Sequence, residues 1–332
     1  MEQRVLGRTG RPVSVVGLGT WQLGADWGEV SDSEALAVLR TSADSGVTFF
    51  DTADVYGDGH SEQMIGAFLR ERGEAADEIT VATKMGRRLE QVPENYVLDN
   101  FRAWTNRSRR NLGVDRLDLV QLHCPPTSVY SSDAVYDALD TLVDEGAVAH
   151  YGVSVEKAEE ALAAIARPHV ATVQIILNAF RLRPLDEVLP AAADAGVGII
   201  ARVPLASGLL SGKYDASTTF GPDDHRSYNR DGTAFDVGET FSGVDFTTGL
   251  KAADEFAELV RAQAPGTTSA QAAIAWVWQH PAVSTVIPGA RNVEQARSNA
   301  AAGEVAPLGT AFDDGVRRIY DTHLREVIHR RW

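Results

Sequence analysis

The sequence predicts one domain over residues 1–332, a single (β/α)8 (TIM) barrel with an N-terminal β-hairpin and a long loop after strand seven. Eight short apolar runs alternate with segments of helical periodicity, which indicates parallel strands joined by helical crossovers. A chain of this length accommodates all eight strands in one barrel. The alternative is a doubly wound open sheet divided near residues 150–170, but no linker-like composition occurs there.

Each predicted strand is short, apolar and bounded by polar residues or glycine, as expected of strands buried on both faces. The eight runs cover residues 13–19, 47–51, 79–84, 117–123, 148–153, 172–177, 197–203 and 283–287. Helical periodicity covers residues 33–45, 61–72, 94–111, 131–145, 156–166, 185–195, 247–263 and 269–279. Ser31 or Ser33 is the candidate N-cap of the first helix.

Two segments fall outside this alternation. The opening residues RVLGRTGRPV are typical of a β-hairpin with a Thr-Gly turn, which could close the bottom of the barrel. Residues 206–246 form a long irregular insertion rich in Gly, Ser, Thr, Asp and Tyr. Loops of this length inside a compact domain are usually functional, so we expect a lid.

Composition excludes several classes of protein. The net charge of −15 argues against binding to nucleic acid or to an anionic membrane, both of which require basic surface. A single cysteine, Cys124, rules out an intramolecular disulfide and fits a reducing compartment. The first residues do not resemble a signal peptide, and no apolar stretch is long enough to span a bilayer. We therefore expect a soluble, cytoplasmic protein, of an oligomeric state that the sequence leaves open.

Polar residues end three consecutive predicted strands. Asp51, Lys84 and His123 end strands two, three and four, and Tyr56 follows in the loop after strand two. Reactive residues of (β/α)8 barrels lie at the carboxyl ends of strands, so these four should converge. A nearby lysine would lower the tyrosine pKa, and a neutral histidine could orient a carbonyl. The combination suits proton donation to an oxygen on which negative charge develops.

Each residue also has an ordinary interpretation. Asp51 could be a turn residue, Tyr56 a half-buried loop aromatic, Lys84 a solvated strand end and His123 a structural histidine. A metal-dependent hydrolase that used His123 and Asp51 as ligands is a weak alternative, because no second histidine lies at an H-x-H spacing. We therefore expect no metal.

Eight motifs along the chain resemble the aldo-keto reductase family, and they occur in the family's order over essentially the whole chain. They are GLGTWQLG, FDTADVYG, SEQMIGAFL, ATKMG, LDLVQLHCP, YGVSV, VPLASGLLSGKY and VIPGARNVEQARSN. The resemblance implies an NAD(P)H-dependent oxidoreductase that reduces an aldehyde or ketone by direct hydride transfer. Tyr56 would be the general acid, Asp51 and Lys84 would tune it, and His123 would orient the carbonyl. The family also includes potassium-channel β subunits, so a nicotinamide-binding regulatory subunit is the alternative.

The sequence does not support a Rossmann motif, so the cofactor site is expected in other loops. Gly17-Leu18-Gly19 is followed by Gln22 where G-x-G-x-x-G requires its third glycine. The loops after strands seven and eight offer a phosphate site instead, and Arg291 near a helix start suits a 2′-phosphate. By resemblance, NADPH is preferred to NADH, and the cofactor-binding residues are Gly19, Thr20, Trp21, Asp51, Ser154, Gln174, Arg202, Val203, Pro204, Leu205, Ser207, Gly208, Lys213, Arg226, Gly289, Arg291, Gln295 and Asn299.

Three positions depart from the family pattern. Val155 replaces a frequent asparagine, Gly289 replaces a frequent lysine, and Arg202 replaces an aromatic residue that stacks on the nicotinamide. We expect Arg202 to stack there too, and its charge to favour NADPH over the cationic NADP⁺.

The substrate is a small-molecule carbonyl compound whose identity the sequence does not select. The expected substrate residues are Trp21, Tyr56, Met85 and His123, with Trp27, Val55, Tyr130, Phe220, Tyr228 and Phe235 as further aromatic or apolar candidates. For Phe220, Tyr228 and Phe235, packing within the lid is the favoured interpretation. Aldehydes, ketones, sugars and polyketide-like carbonyls all suit an aromatic pocket.

Overall fold

Parallel strands hydrogen-bond in chain order around a barrel in the computed structural model, which describes residues 1–24, 30–222 and 224–332. An antiparallel hairpin of β1 (Gln3–Val5) and β2 (Pro12–Ser14) precedes the barrel. The barrel strands are β3 (Leu18–Gly19), β4 (Phe49–Asp51), β5 (Thr80–Met85), β6 (Leu117–His123), β7 (Val148–Ser154), β8 (Val170–Ile176), β9 (Gly198–Arg202) and β10 (Val283–Val286). Backbone bonds from Gly17 N to Val286 O (2.8 Å) and from Gly19 N to Pro288 O (3.0 Å) close the ring between its first and last strands. The predicted (β/α)8 barrel is confirmed.

Helices follow the strands and cover the outside of the barrel. They are α1 (Asp32–Asp44), α2 (His60–Arg72), α3 (Leu98–Leu112), α4 (Asp133–Asp144), α5 (Ala158–Ile165), α6 (Arg183–Asp186), α7 (Val188–Ala195), α8 (His225–Tyr228), α9 (Phe246–Gln263), α10 (Ser269–Trp278), α11 (Val293–Ala301), α12 (Gly309–His323) and α13 (Arg325–Ile328). Ser31 caps α1 in a capping box with Glu34. Ser31 is one of the two residues that the sequence offered as the N-cap. Among the described helices, none is both long and apolar enough to cross a membrane.

Two predicted elements are divided in the structure. The run at 13–19 contributes Val13 and Ser14 to the hairpin, and only Leu18 and Gly19 to the barrel. Both parts are buried, so apolarity alone could not separate them. The helix predicted over 185–195 breaks at Glu187, between α6 and α7. Pro190 explains the break, because proline has no N–H to donate to the carbonyl of Asp186.

The hairpin closes the bottom of the barrel, as expected. Leu6 and Val13 are fully buried and pack against Phe49, Ala82 and Leu119 on the inner face of the strands. Arg8 fastens the hairpin turn by donating from Nη1 to the carbonyls of Arg167 (2.7 Å) and Val170 (2.9 Å). The opposite end of the barrel, where the strands end, is therefore left for a site.

The insertion, residues 206–246, follows the seventh barrel strand, β9, as predicted. It consists of short helical turns, among them 3-10 turns at Ala206–Ser211, Val237–Glu239 and Phe241–Gly243, with α8 between the first two. Phe241 is buried and packs against Phe220 and Phe246, with ring centroids 5.8 and 5.1 Å away. The insertion is thus held by its own apolar core beside the strand ends.

Candidate active site

The ammonium group of Lys84 lies inside the barrel among acceptors contributed by neighbouring strands and loops. It forms an ion pair with Asp51 Oδ1, donates to the carbonyl of Thr52 (2.9 Å), and lies 3.4 Å from the hydroxyl of Tyr56. Lys84 is 1% and Asp51 3% exposed, so both charges are withdrawn from water. An unpaired charge is very costly to bury. The two buried charges are tolerated because each one faces the other.

Two glutamines on other strands hold the second oxygen of Asp51. Gln174 Nε2 on β8 donates to Asp51 Oδ2 (2.7 Å), and Gln121 Nε2 on β6 donates to the same atom (3.2 Å). Both carboxylate oxygens of Asp51 are therefore bound. Gln174, expected from the resemblance to bind the cofactor carboxamide, has its side-chain N–H on Asp51 in this structure.

The turn that carries Tyr56 is fixed by a close backbone contact. Gly57 has φ of +55°, and a Cβ at this position would lie 2.0 Å from the carbonyl oxygen of Gly24. Only glycine therefore allows this turn to pack against the 3-10 turn Trp21–Gly24. The contact brings the Trp21 ring to 6.1 Å from the Tyr56 ring, while the His123 imidazole lies 6.0 Å from Tyr56 on another side.

Burial is the largest influence on the pKa values of Tyr56 and His123. Burial raises the pKa of Tyr56 above its usual value, and the charge of Lys84 acts in the opposite direction. The pKa of Tyr56 is therefore raised rather than lowered as expected from the sequence, although Lys84 acts in the expected direction. Burial also holds the pKa of His123 well below its usual value, with Arg87 as the strongest charge acting in the same direction. His123 is accordingly a neutral imidazole, as expected.

A cavity of about 340 Å³ opens at the carboxyl ends of the strands. Tyr56 and His123 line it, and so do most of the residues expected to bind cofactor. Those are Gly19, Thr20, Trp21, Asp51, Ser154, Gln174, Arg202, Val203, Pro204, Leu205, Ser207, Gly208, Arg226, Gly289, Arg291 and Gln295. One cavity thus brings together residues from the loops after β3, β4, β6, β7, β9 and β10.

Some expected site residues lie elsewhere. Met85 belongs to the apolar core rather than to the cavity lining. Side chains alternate along a strand, so when Lys84 points into the barrel Met85 points outward to the helices. Lys213 is exposed and does not line the cavity. Asn299 is not a lining residue either, and its Nδ2 donates to the carbonyl of Gly289 (3.0 Å).

Only some of the further candidates for the substrate pocket line the cavity. Phe235 lines the cavity, with its ring 5.9 Å from that of Trp21. Phe220 and Tyr228 are not among the lining residues; Phe220 packs inside the insertion and Tyr228 packs against Phe235. Val55 is also outside the lining, and Tyr130 is buried with its hydroxyl on the carbonyl of Ser154 (2.8 Å). Trp27 lies outside the described residues.

Arg202 has counter-charges of its own. Its Nη2 lies 3.0 Å from Glu156 Oε1, and its Nη1 forms an ion pair with Glu239 of the insertion. These two carboxylates offset the charge of Arg202, while its stacking on the nicotinamide and its effect on NADPH against NADP⁺ binding stay predictions. Val203, the next residue, has φ of +56°. This conformation is strained for a β-branched residue and is characteristic of functional sites.

The cavity lining also includes groups suited to the phosphates of a dinucleotide. Ala206, Ser207 and Gly208 adopt consecutive positive φ values, and such turns gather backbone amides into anion-binding concavities. Arg226 and Arg291 lie along the same lining. Gln22 Oε1 is buried with no hydrogen-bond partner in the described part of the chain, which a bound polar ligand could satisfy. These features fit a nicotinamide dinucleotide.

Several lining residues were missed by sequence reasoning. They are Gln22, Arg87, Cys124, Tyr214, His225, Glu239, Ile287 and Pro288. A Cβ at position 289 would lie 2.3 Å from Gln22 Oε1, so a larger residue there would require the Gln22 side chain to move. Arg87, three residues after Lys84, could have been found by asking which charged residues closely follow a strand end. Glu239 carries no local signal, since its place depends on the course of the insertion. Within the described ranges, no group of three His, Cys, Asp or Glu side chains could hold a metal ion.

Comparisons with known proteins agree with this architecture. The family model described as the aldo/keto reductase family matches residues 15–319. An uncharacterized oxidoreductase from Mycobacterium tuberculosis is 32% identical over 339 residues, covering 96% of this chain and 97% of that protein. A probable voltage-gated potassium channel subunit beta from Arabidopsis thaliana is 30% identical over 328 residues, covering 93% of each. The solved structure of a glycerol dehydrogenase from Gluconobacter oxydans matches with a TM-score of 0.78 and 28% identity, over 97% of this chain and 95% of that one.

Proposed function

Because the chain belongs to the aldo/keto reductase family of oxidoreductases, we propose that it reduces an aldehyde or ketone to an alcohol with NADPH and uses Tyr56 as the general acid. The observation that carries the proposal is the position of the Tyr56 hydroxyl. It lies 3.4 Å from the ammonium group of the Asp51–Lys84 ion pair, in the same cavity as His123.

Each residue of this group has a task in the reduction. A bound reduced nicotinamide would supply the hydride. The neutral imidazole of His123 is suited to bind the carbonyl oxygen by a hydrogen bond and to orient it. As negative charge develops on that oxygen, the Tyr56 hydroxyl gives it a proton, and Lys84 stabilises the phenolate that remains. The raised pKa of Tyr56, due first to burial, keeps the hydroxyl protonated at neutral pH.

The cofactor preference is part of the proposal. Ser207 and Gly208 of the positive-φ turn line the same cavity as Tyr56, and so do Arg291 and Arg226, which is paired with Asp224. A forked guanidinium is the side chain best matched to a phosphate group. This supports NADPH over NADH, since only NADPH carries a 2′-phosphate.

The Tyr56→Phe variant tests the mechanism. It removes one hydroxyl and little else, so NADPH should bind nearly as in the wild type, while kcat for reduction of simple aldehydes should fall by about 10²–10⁴-fold. NADPH oxidation followed at 340 nm gives kcat, and quenching of tryptophan fluorescence gives the NADPH affinity. Turnover near the wild-type value in Tyr56→Phe would refute the assignment.

A regulatory subunit is the second candidate, favoured by the likeness to a probable potassium channel subunit beta. Such a protein would bind NADPH tightly with little turnover. A screen of short-chain, aromatic and sugar aldehydes separates the two candidates. Binding of NADPH without oxidation by any of them would favour the regulatory function.

A further inference from the structure

Arg87 presents a guanidinium to the cavity beside the proposed reaction centre. It lies two residues beyond β5 and lines the cavity together with Tyr56 and His123. Its Nε donates to the backbone carbonyl of His123 (3.2 Å), which fixes the planar group at the end of β6. Within residues 1–24, 30–222 and 224–332, no hydrogen bond is made by Nη1 or Nη2 of Arg87.

The counter-charges around Arg87 are directed elsewhere. In the described part of the chain, no carboxylate oxygen lies within the 4.0 Å ion-pair distance of the Arg87 guanidinium. The lining carboxylates Asp51 and Glu239 are paired with Lys84 and Arg202. Burial alone would lower the pKa of Arg87, but neighbouring groups outweigh it and raise the pKa, so Arg87 is cationic. Arg87 is thus a charged donor beside the tyrosine without a described counter-ion of its own.

Several other side chains that line the cavity are uncharged. Trp21 and Phe235 contribute aromatic surface, and their rings lie 5.9 Å apart. Burial lowers the pKa of His225 to about 4, so this imidazole is uncharged at neutral pH. The cavity therefore offers aromatic surface and a neutral histidine in addition to the tyrosine hydroxyl and Arg87.

We propose that Arg87 binds a carboxylate group on the carbonyl substrate, so that the preferred substrates are aldehydes or ketones that are also carboxylic acids. This inference rests on the proposed reduction and names its substrate class. A guanidinium fork matches the two oxygens of a carboxylate.

The test compares acidic and neutral aldehydes of similar size. For 4-oxobutanoate against butanal, and for 4-carboxybenzaldehyde against 4-methylbenzaldehyde, we define a discrimination ratio as kcat/KM of the acid divided by kcat/KM of the neutral compound. Wild-type protein with NADPH should give a ratio above 10 for at least one pair. Arg87→Met should lower that ratio at least tenfold, because kcat/KM of the acid should fall much further than kcat/KM of the neutral compound. Arg87→Lys should retain part of the ratio, because it retains the charge.

Arg88 provides a matched control. It is the next residue, but its Nη1 donates to Asp58 Oδ1 (2.6 Å), and it does not line the cavity. Arg88→Met should therefore leave the ratio unchanged. A wild-type ratio near 1, a ratio unaffected by Arg87→Met, or an equal loss for acid and neutral compound would overturn the proposal. The last result would mean that Arg87 only positions His123.

A binding measurement separates this inference from the proposed function. If the wild type reduces none of the four aldehydes, the proposed reduction fails, and titration of the NADP⁺ complex with butyrate or butyramide decides the role of Arg87. Butyrate binding at least tenfold weaker in Arg87→Met, with butyramide binding unchanged, would support carboxylate recognition. Equal affinities of the two proteins for butyrate would reject it.

Discussion

Asp54 is a fully buried acid two residues before Tyr56, and its environment favours the uncharged form. Neither carboxylate oxygen has a hydrogen-bond partner among the described residues. Burial, aided by the charge of Glu62, raises the pKa of Asp54 to about 7. The folded state therefore holds a proton on Asp54 over a pH range in which the unfolded chain has already lost it.

Asp54→Asn should therefore stabilise the protein at alkaline pH. Because the folded pKa is raised, the contribution of Asp54 to stability is greatest near pH 4 and is lost as the pH rises to about 7. Asparagine does not ionise. The difference in unfolding free energy between the variant and the wild type should therefore be more favourable to the variant at pH 8 than at pH 5, by on the order of 1–3 kcal/mol. Urea unfolding of both proteins at the two pH values measures this difference. Asp58→Asn is the control and should show no such gain, because Asp58 is exposed and paired with Arg88 and Arg107. A gain independent of pH would contradict the explanation.

The network around Arg202 shows how a residue-level prediction depends on partners. Burial raises the pKa of Glu156 to about 7, while Arg202 acts to lower it. Glu239, in contact with the same guanidinium, has a lowered pKa although burial alone would raise it. The guanidinium is thus compensated by Glu239, and by Glu156 to the extent that it is ionised. A charge effect on the nicotinamide would require one of these partners to move.

At the scale of elements, the N-terminal hairpin contributes an apolar plug rather than site residues. Leu6 is fully buried against the inner face of the barrel, whereas its neighbour Val5 is 58% exposed. Strand alternation explains the contrast, since successive side chains of β1 and its flank point to opposite sides.

Leu6→Ala should destabilise the protein by about 2–5 kcal/mol, because the deleted atoms leave a cavity between the hairpin and the strands. Val5→Ala removes apolar atoms from an exposed position of the same hairpin and should change stability by less than about 0.5 kcal/mol. Chemical denaturation of both variants provides the comparison. Similar values for the two would mean that the hairpin does not seal the barrel.

The insertion is an element whose position is set by distant contacts. Trp332 Nε1 donates to Asp236 Oδ1 (2.9 Å), and the guanidinium carbon of Arg181 lies 4.3 Å from the centre of the Trp332 ring. Together with the Arg202–Glu239 ion pair, these contacts hold the 3-10 turn Val237–Glu239 beside the cavity. The side of the insertion that carries Glu239 is therefore anchored at both the barrel and residue 332.

At the scale of the whole molecule, cofactor binding should couple to folding. A ligand that binds only the folded state raises the unfolding free energy by about 2.7 kcal/mol at 100 times its Kd. NADPH should therefore raise Tm more than NADH at equal concentration, and Arg291→Ala should narrow the difference. Arg297→Ala, an exposed arginine on the helix α11 that follows Arg291 and outside the cavity lining, is the control. Differential scanning fluorimetry measures these Tm values. Equal Tm shifts from NADPH and NADH in the wild type would contradict the 2′-phosphate preference.

Much of the barrel could be predicted because its strands carry strong local signals. Buried parallel strands are continuous apolar runs, and β6 and β9 lie within one residue of their predicted bounds. The convergence of Asp51, Lys84 and His123 followed from the rule that strand ends of a barrel share one face. Helix α12 was not predicted. The 13–19 run was assigned to one strand, because burial gives both parts of that run the same apolar character.

The sequence by itself determined the alternation of strands and helices, the polar residues at the strand ends, and hence the class of chemistry at that end of the barrel. These depend on periodicity and on positions next to strands, which are local. Tertiary structure alone decided that Gln174 supports Asp51, that Arg202 is bound by Glu156 and Glu239, and that Arg87 turns toward the cavity. These contacts join residues far apart in the chain, and no local pattern records which distant partner a side chain will meet.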